Sequence, residues 1–90
     1  MSLFQPSTAE VLRIVQAEFY HLGVCMSDLH SVEERTRVDR GQVVARSYRA
    51  GDLMAMWLIE IGLLQFYGAE GEMLATINLL EQETPLRRAA

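Results

Sequence analysis

The chain has 90 residues, half of them hydrophobic, and a formal net charge of −4 with arginine as its only basic side chain apart from two histidines. That composition excludes a disordered segment, and the acidic balance argues against a general nucleic-acid binder, which carries a clear basic excess. A single domain of this size has a limited interior, so some of this apolar matter is expected at an interface.

Met1 to Pro6 shows neither the basic start nor the apolar core of a secretion signal. Ser7-Thr8-Ala9-Glu10 then has the capping-box pattern, with Pro6 blocking helix growth backwards and Gly23 supplying a stop. Between these signals Val11, Val15, Phe19 and Leu22 share one helical stripe, flanked by Leu12 and Ile14, while Arg13, Gln16 and Tyr20 point away. The spacing predicts an amphipathic helix over about 8–22.

From Val24 to Ser31 the pattern is weak, and a connecting loop is expected. His21, Cys25, Asp28 and His30 are metal-ligand types within this stretch, but zinc sites usually pair their ligands at both ends. With one cysteine there is neither an intramolecular disulfide nor a C-x-x-C motif. A cysteine–histidine nucleophile would need thiol and imidazole within hydrogen-bond reach, which nothing in the spacing arranges. The reading is a part-buried Cys25 beside surface histidines, with no metal and no cofactor. A lone thiol fits a reducing compartment, so a cytoplasmic location is expected.

After Ser31 the rhythm changes to period two, and turn signals come at short intervals. Asp39-Arg40-Gly41 suits a three-residue hairpin loop, Gly51-Asp52 and Ile61-Gly62 suit two-residue turns, and Gly68-Ala69-Glu70-Gly71 suits a four-residue loop. Strands are therefore predicted near 31–38, 42–50, 53–60, 63–67 and 72–80. A helix over 53–67, capped by Asp52, is the competing reading, since Leu, Met and Ala are good helix formers.

Register decides in favour of strands. Pairing through the turns sets Val44, Arg46 and Tyr48 against Ile59, Trp57 and Ala55. It then sets Ile59 and Trp57 against Leu64 and Phe66, which in turn meet Ala75 and Met73. Independent turns thus gather one apolar face, which a helix would not require. The fold class expected is α+β, one N-terminal helix packed on an antiparallel meander. In layout alone this resembles the cystatin-like grips, a likeness that implies nothing about function. The apolar run Leu53–Tyr67 is shorter than the roughly 20 residues of a spanning helix and is broken by Glu60, Gly62 and Gln65, so no membrane span is expected.

The other face would carry Val43, Ala45, Ser47, Met54, Met56, Leu58, Leu63, Tyr67, Leu74, Thr76 and Asn78, interrupted by Arg49, Glu60 and Gln65. A solvated outer face should alternate more cleanly. Met54, Met56, Leu58, Leu63, Tyr67 and Leu74 are accordingly the candidate interface, with a second copy as the expected partner and two-fold symmetry as the default. Cover by residues 24–30 or by the C-terminal tail is the alternative.

Arg35, Arg37, Arg40 and Arg49 form a candidate edge for an anion or partner, though charge on an edge strand also discourages aggregation without any ligand. Arg46 falls on the core side, where Glu34 or Glu18 could pair with it. Phosphate-loop, zinc-protease, nucleophile-elbow and calcium-loop motifs are lacking. The expected organisation is one domain over 1–83 with a flexible tail over 84–90. The expected function is a non-enzymatic homo-oligomeric interaction domain. Its alternatives are a small-molecule or catalytic pocket between helix and sheet, and weak anion or nucleic-acid binding through the arginines.

Overall fold

A computed structural model describes residues 6–81. Helix α1 spans Thr8–His21, and its start is the capping box read from the sequence. The Glu10 amide donates to Ser7 Oγ at 3.1 Å, and the Ser7 amide donates to Glu10 Oε1 at 2.9 Å. Two otherwise unpaired donors at the helix N-terminus are thereby satisfied. Val11, Val15 and Phe19 are fully buried along one stripe.

The expected loop at 24–31 contains a one-turn helix, α2, Met26–Leu29. Its role is packing: Val24 and Leu29 are buried in the main core. Gln16, expected to point away, is half-buried instead and donates from Nε2 to the Leu29 carbonyl at 3.1 Å, which ties α2 to α1. Cys25, expected to be part-buried, is exposed, while Val24 before it and Leu29 after it take the interior.

Five antiparallel strands follow in sequence order, β1 Glu33–Asp39, β2 Gln42–Ala50, β3 Leu53–Leu58, β4 Leu63–Tyr67 and β5 Met73–Asn78, and a 3-10 turn at Leu79–Glu81 is the last described element. The molecule is an α+β fold, a main helix against a five-stranded meander, and residues 53–67 are strands. Among the described residues no helix is long and apolar enough to cross a membrane. The proposed tail at 84–90 lies outside the described residues.

Turn chemistry moves the pairing from that expected. The first hairpin turns on Arg40-Gly41 alone, with φ of 54° and 81°, and Asp39 pairs with Gln42. Positive φ at both central residues matches the right-handed strand twist. An irregularity beside it leaves Val44 without a β1 partner, so Arg46 pairs with Thr36 rather than Glu34. Ile59 to Gly62 form a four-residue turn, closed by the Gly62 amide donating to the Leu58 carbonyl at 2.9 Å. Trp57 therefore meets Leu64, and Ala55 meets Phe66. Both slips amount to two residues, so every side chain keeps its face.

One residue does change face. A bulge between Phe66 and Tyr67 sets Met73 opposite Tyr67, and Met73 is 52% exposed rather than part of the core. Phe66 and Leu64 pair with Ala75 and Ile77 instead. The core is closed by Tyr48, Ala55, Trp57, Leu64 and Phe66 beneath α1, with Leu79 of the 3-10 turn. Phe19 meets Phe66 edge to face at 5.6 Å between ring centroids, an arrangement adding about 0.5–1.5 kcal/mol beyond area burial.

Candidate functional site

The strand pairings align side chains of the opposite, outer face in cross-strand rows. Arg35, Ser47, Met56, Gln65 and Thr76 make one row, and Arg49, Met54 and Tyr67 make the next. Met54, Met56, Leu58, Leu63 and Tyr67 are half-buried there, and Leu74 lies more exposed at the β5 bulge. Val11, Val15 and Phe19 of α1, with Val24 and Leu29 of the α2 segment, are buried in the inner core, and 24–30 therefore packs on that side rather than over the outer face. Among the described residues the face has only its own side chains for shelter.

Two groups that looked separate in sequence are brought together. Arg35, Arg37 and Arg49 belong to this same face, beside the methionines, while Arg40 sits apart in the β1–β2 turn. The signal was available: residues 35 and 37 share a face by parity, and their pairing with Ser47 and Ala45 fixes which one. Ala45 was not singled out, yet it is the best-buried outer-face residue at 4% exposure, a small side chain between Arg37 and Leu58.

Three shallow depressions open on this face. One of about 400 Å³ is lined by Glu33, Arg35, Ser47, Arg49 and Met54. A second, about 420 Å³, runs from Arg49, Met54 and Met56 to Tyr67 and the Gly68–Gly71 loop. The third, about 270 Å³, is bordered by Arg46, but Arg35, Arg37, Ala45 and Met56 place it on the outer face as well. Polar contacts across the face are sparse. Tyr67 donates its hydroxyl to Gln65 Oε1 at 2.8 Å, and Arg35, Arg37 and Arg49 make no hydrogen bond or ion pair with a described residue.

On the inner side Arg46 finds Glu34 at 3.0 Å and also donates to Thr36 Oγ1 at 3.2 Å. This diagonal contact realises one of the two pairings expected for Arg46. Neighbouring Tyr48 is fully buried, and its hydroxyl oxygen has no hydrogen-bond partner among the described residues. Burial, reinforced by the Glu34 charge and opposed by Arg46, pushes the Tyr48 phenol up to about 12.

The remaining chemistry-bearing residues stay dispersed. Cys25 Sγ has Ser27 Oγ at 3.3 Å and Asp28 Oδ2 at 3.5 Å as its partners, not a histidine. Among the described residues no group of three or more His, Cys, Asp or Glu side chains is assembled as a metal site. Glu60 is exposed in the β3–β4 turn. Comparison with protein-family models, curated proteins and solved structures finds no match for this chain. The likeness to cystatin-like grips thus remains one of element order.

Proposed function

We propose that the protein is a non-enzymatic, homo-oligomeric interaction domain whose outer sheet face is its assembly surface. The observation that carries this reading is the asymmetry of cover: the inner face is sealed by α1 and α2, while Met54, Met56, Leu58, Leu63 and Tyr67 lie side by side with no described element over them. A sheet with two apolar faces gains by covering both, and methionine and tyrosine are enriched where proteins meet. The exposed thiol of Cys25 favours a reducing compartment, which supports a place in the cytoplasm.

The test is absolute mass in solution, by light scattering on a sizing column, for wild type and Met56→Glu. A dimer or larger species in wild type, with a folded monomeric variant, supports the reading. A wild-type monomer at tens of micromolar overturns it.

A second reading is favoured by the three arginines that have no charged partner among the described residues: the same face holds an anionic ligand or strand of nucleic acid. Its signature is affinity for an oligonucleotide that falls steeply with salt, and no binding at low salt removes it.

A further inference from the structure

The two larger depressions of the outer face meet at Arg49 and Met54, so they run together as one trough from β1 to β4. Resting on the second reading above, that this face binds an anion, we propose that the trough holds a small phosphorylated aromatic molecule of the nucleoside monophosphate type. Its phosphoryl group sits among Arg35, Ser47 and Arg49, and its ring lies against Met54 and Tyr67.

Strand pairing assembles the phosphoryl end. Arg35 stands opposite Ser47, and Arg49 is two residues further along β2 on the same face. Diagonal neighbours in an antiparallel pair are roughly 7–8 Å apart, which long side chains span, so both guanidiniums can close on one group. Both line the depression of about 400 Å³, with the half-buried Ser47 between them. Neither arginine makes a hydrogen bond or ion pair with a described residue, so their donors are uncommitted there. A phosphoryl dianion accepts from forked N–H groups and from a hydroxyl together. Glu33 lines the same depression opposite Arg49 without pairing to it. Its carboxylate weakens the site for an anion, so removing that charge is a direct probe of what the site holds.

From Arg49 the trough continues through Met54 to Tyr67, which the pairing sets in one row across β2, β3 and β4. This second depression, about 420 Å³, is lined by Met54, Met56 and Tyr67, with Asp52 also in its wall. Thioethers and a phenol ring offer a flat aromatic group an adaptable stacking contact. Both volumes fall in the range of small-ligand clefts. A nucleic-acid strand fits less well, because the chain carries −4 overall and carboxylates stand within the trough at Glu33 and Asp52. Each added phosphate meets that repulsion. A single phosphoryl group answers the two guanidiniums without extending past those carboxylates.

The experiment is calorimetric titration of the full chain at low ionic strength, above pH ~7, where a phosphomonoester is mostly dianionic. The probes are adenosine monophosphate, adenosine, inorganic phosphate and a single-stranded oligonucleotide. Saturable binding of adenosine monophosphate, tighter than of adenosine or phosphate, is the expected result. Arg49→Gln should weaken it about tenfold or more, and Glu33→Gln should tighten it. Tyr67→Leu should bring its affinity down toward that of phosphate, with circular dichroism confirming the fold of each variant. Equal affinity for adenosine monophosphate and phosphate removes the ring contact and overturns the inference. So does an oligonucleotide that binds where the mononucleotide does not, or an affinity unchanged in Arg49→Gln. Failure of the parent reading looks different: none of the anionic probes then binds at low salt.

Discussion

The phenol of Tyr48 lies in the interior with its ring fully enclosed and its hydroxyl without a partner among the described residues. A buried, unmatched polar group costs about 1–3 kcal/mol of desolvation, whereas the ring itself contributes to the core. Tyr48→Phe keeps the ring and deletes the oxygen, so its stability in urea should equal or exceed that of wild type by about 1 kcal/mol. The same residue sets an alkaline limit. Its phenol is held up to about 12 in the folded chain against about 10 when unfolded, so the folded state binds that proton more tightly. The associated stability is complete below pH ~10 and is lost as pH rises toward 12. Denaturation midpoints measured across that interval should fall less in Tyr48→Phe than in wild type. The adjoining Arg46–Glu34 pair is partly exposed and contributes about 0–1 kcal/mol, too little to mask this.

Among the elements, α1 and the strands were legible because their signals are periodic and local. The Ser7–Glu10 box and the Val11, Val15, Phe19 stripe place the helix, and β2 and β4 occupy the residues their alternation indicates. Turns were harder, since whether Gly41 or Gly62 closes a hairpin of two, three or four residues depends on backbone angles that composition does not state. Even so, each turn error shifted pairing by an even number, and the two faces survived it. Only the bulge beside Tyr67, which has no period, moved Met73 out of the core. The segment holding α2 was illegible because Val24 and Leu29 are too few to show a period. The outer-face methionines and Arg49 were readable by alternation, but joining Arg35 and Arg37 to them required strand pairing. Gly62 shows how much one turn residue carries. At φ of 68°, its carbonyl accepts from the Leu79 amide at 2.8 Å, and an added Cβ would collide with the Leu80 side chain. Leu80 is exposed and can swing aside, so Gly62→Ala should cost mainly the left-handed backbone penalty, about 1–2 kcal/mol by urea denaturation.

At the scale of the whole molecule, a net charge of −4 coexists with a face on which three arginines make no ion pair with a described residue, so bulk charge and local surface point in opposite directions. On the proposed assembly through this face, raised ionic strength should change the solution mass without unfolding the subunits, readable as mass against salt. The order of the sheet also bears on how the chain reaches its native state. Every strand pairs with its neighbour in sequence, so the meander can zip through closures of a few residues at small entropic cost. Docking of α1 is different, because Phe19 must find Phe66 across about half of the chain. Hairpins should consequently form first and the helix last, leaving α1 loose at the folding barrier. Val15→Ala, which opens a gap in a fully buried position, should then accelerate unfolding and leave the refolding rate nearly unchanged in stopped-flow chevrons. If refolding slowed in proportion instead, the helix would belong to the nucleus, and the sheet would be assembling on a template already in place.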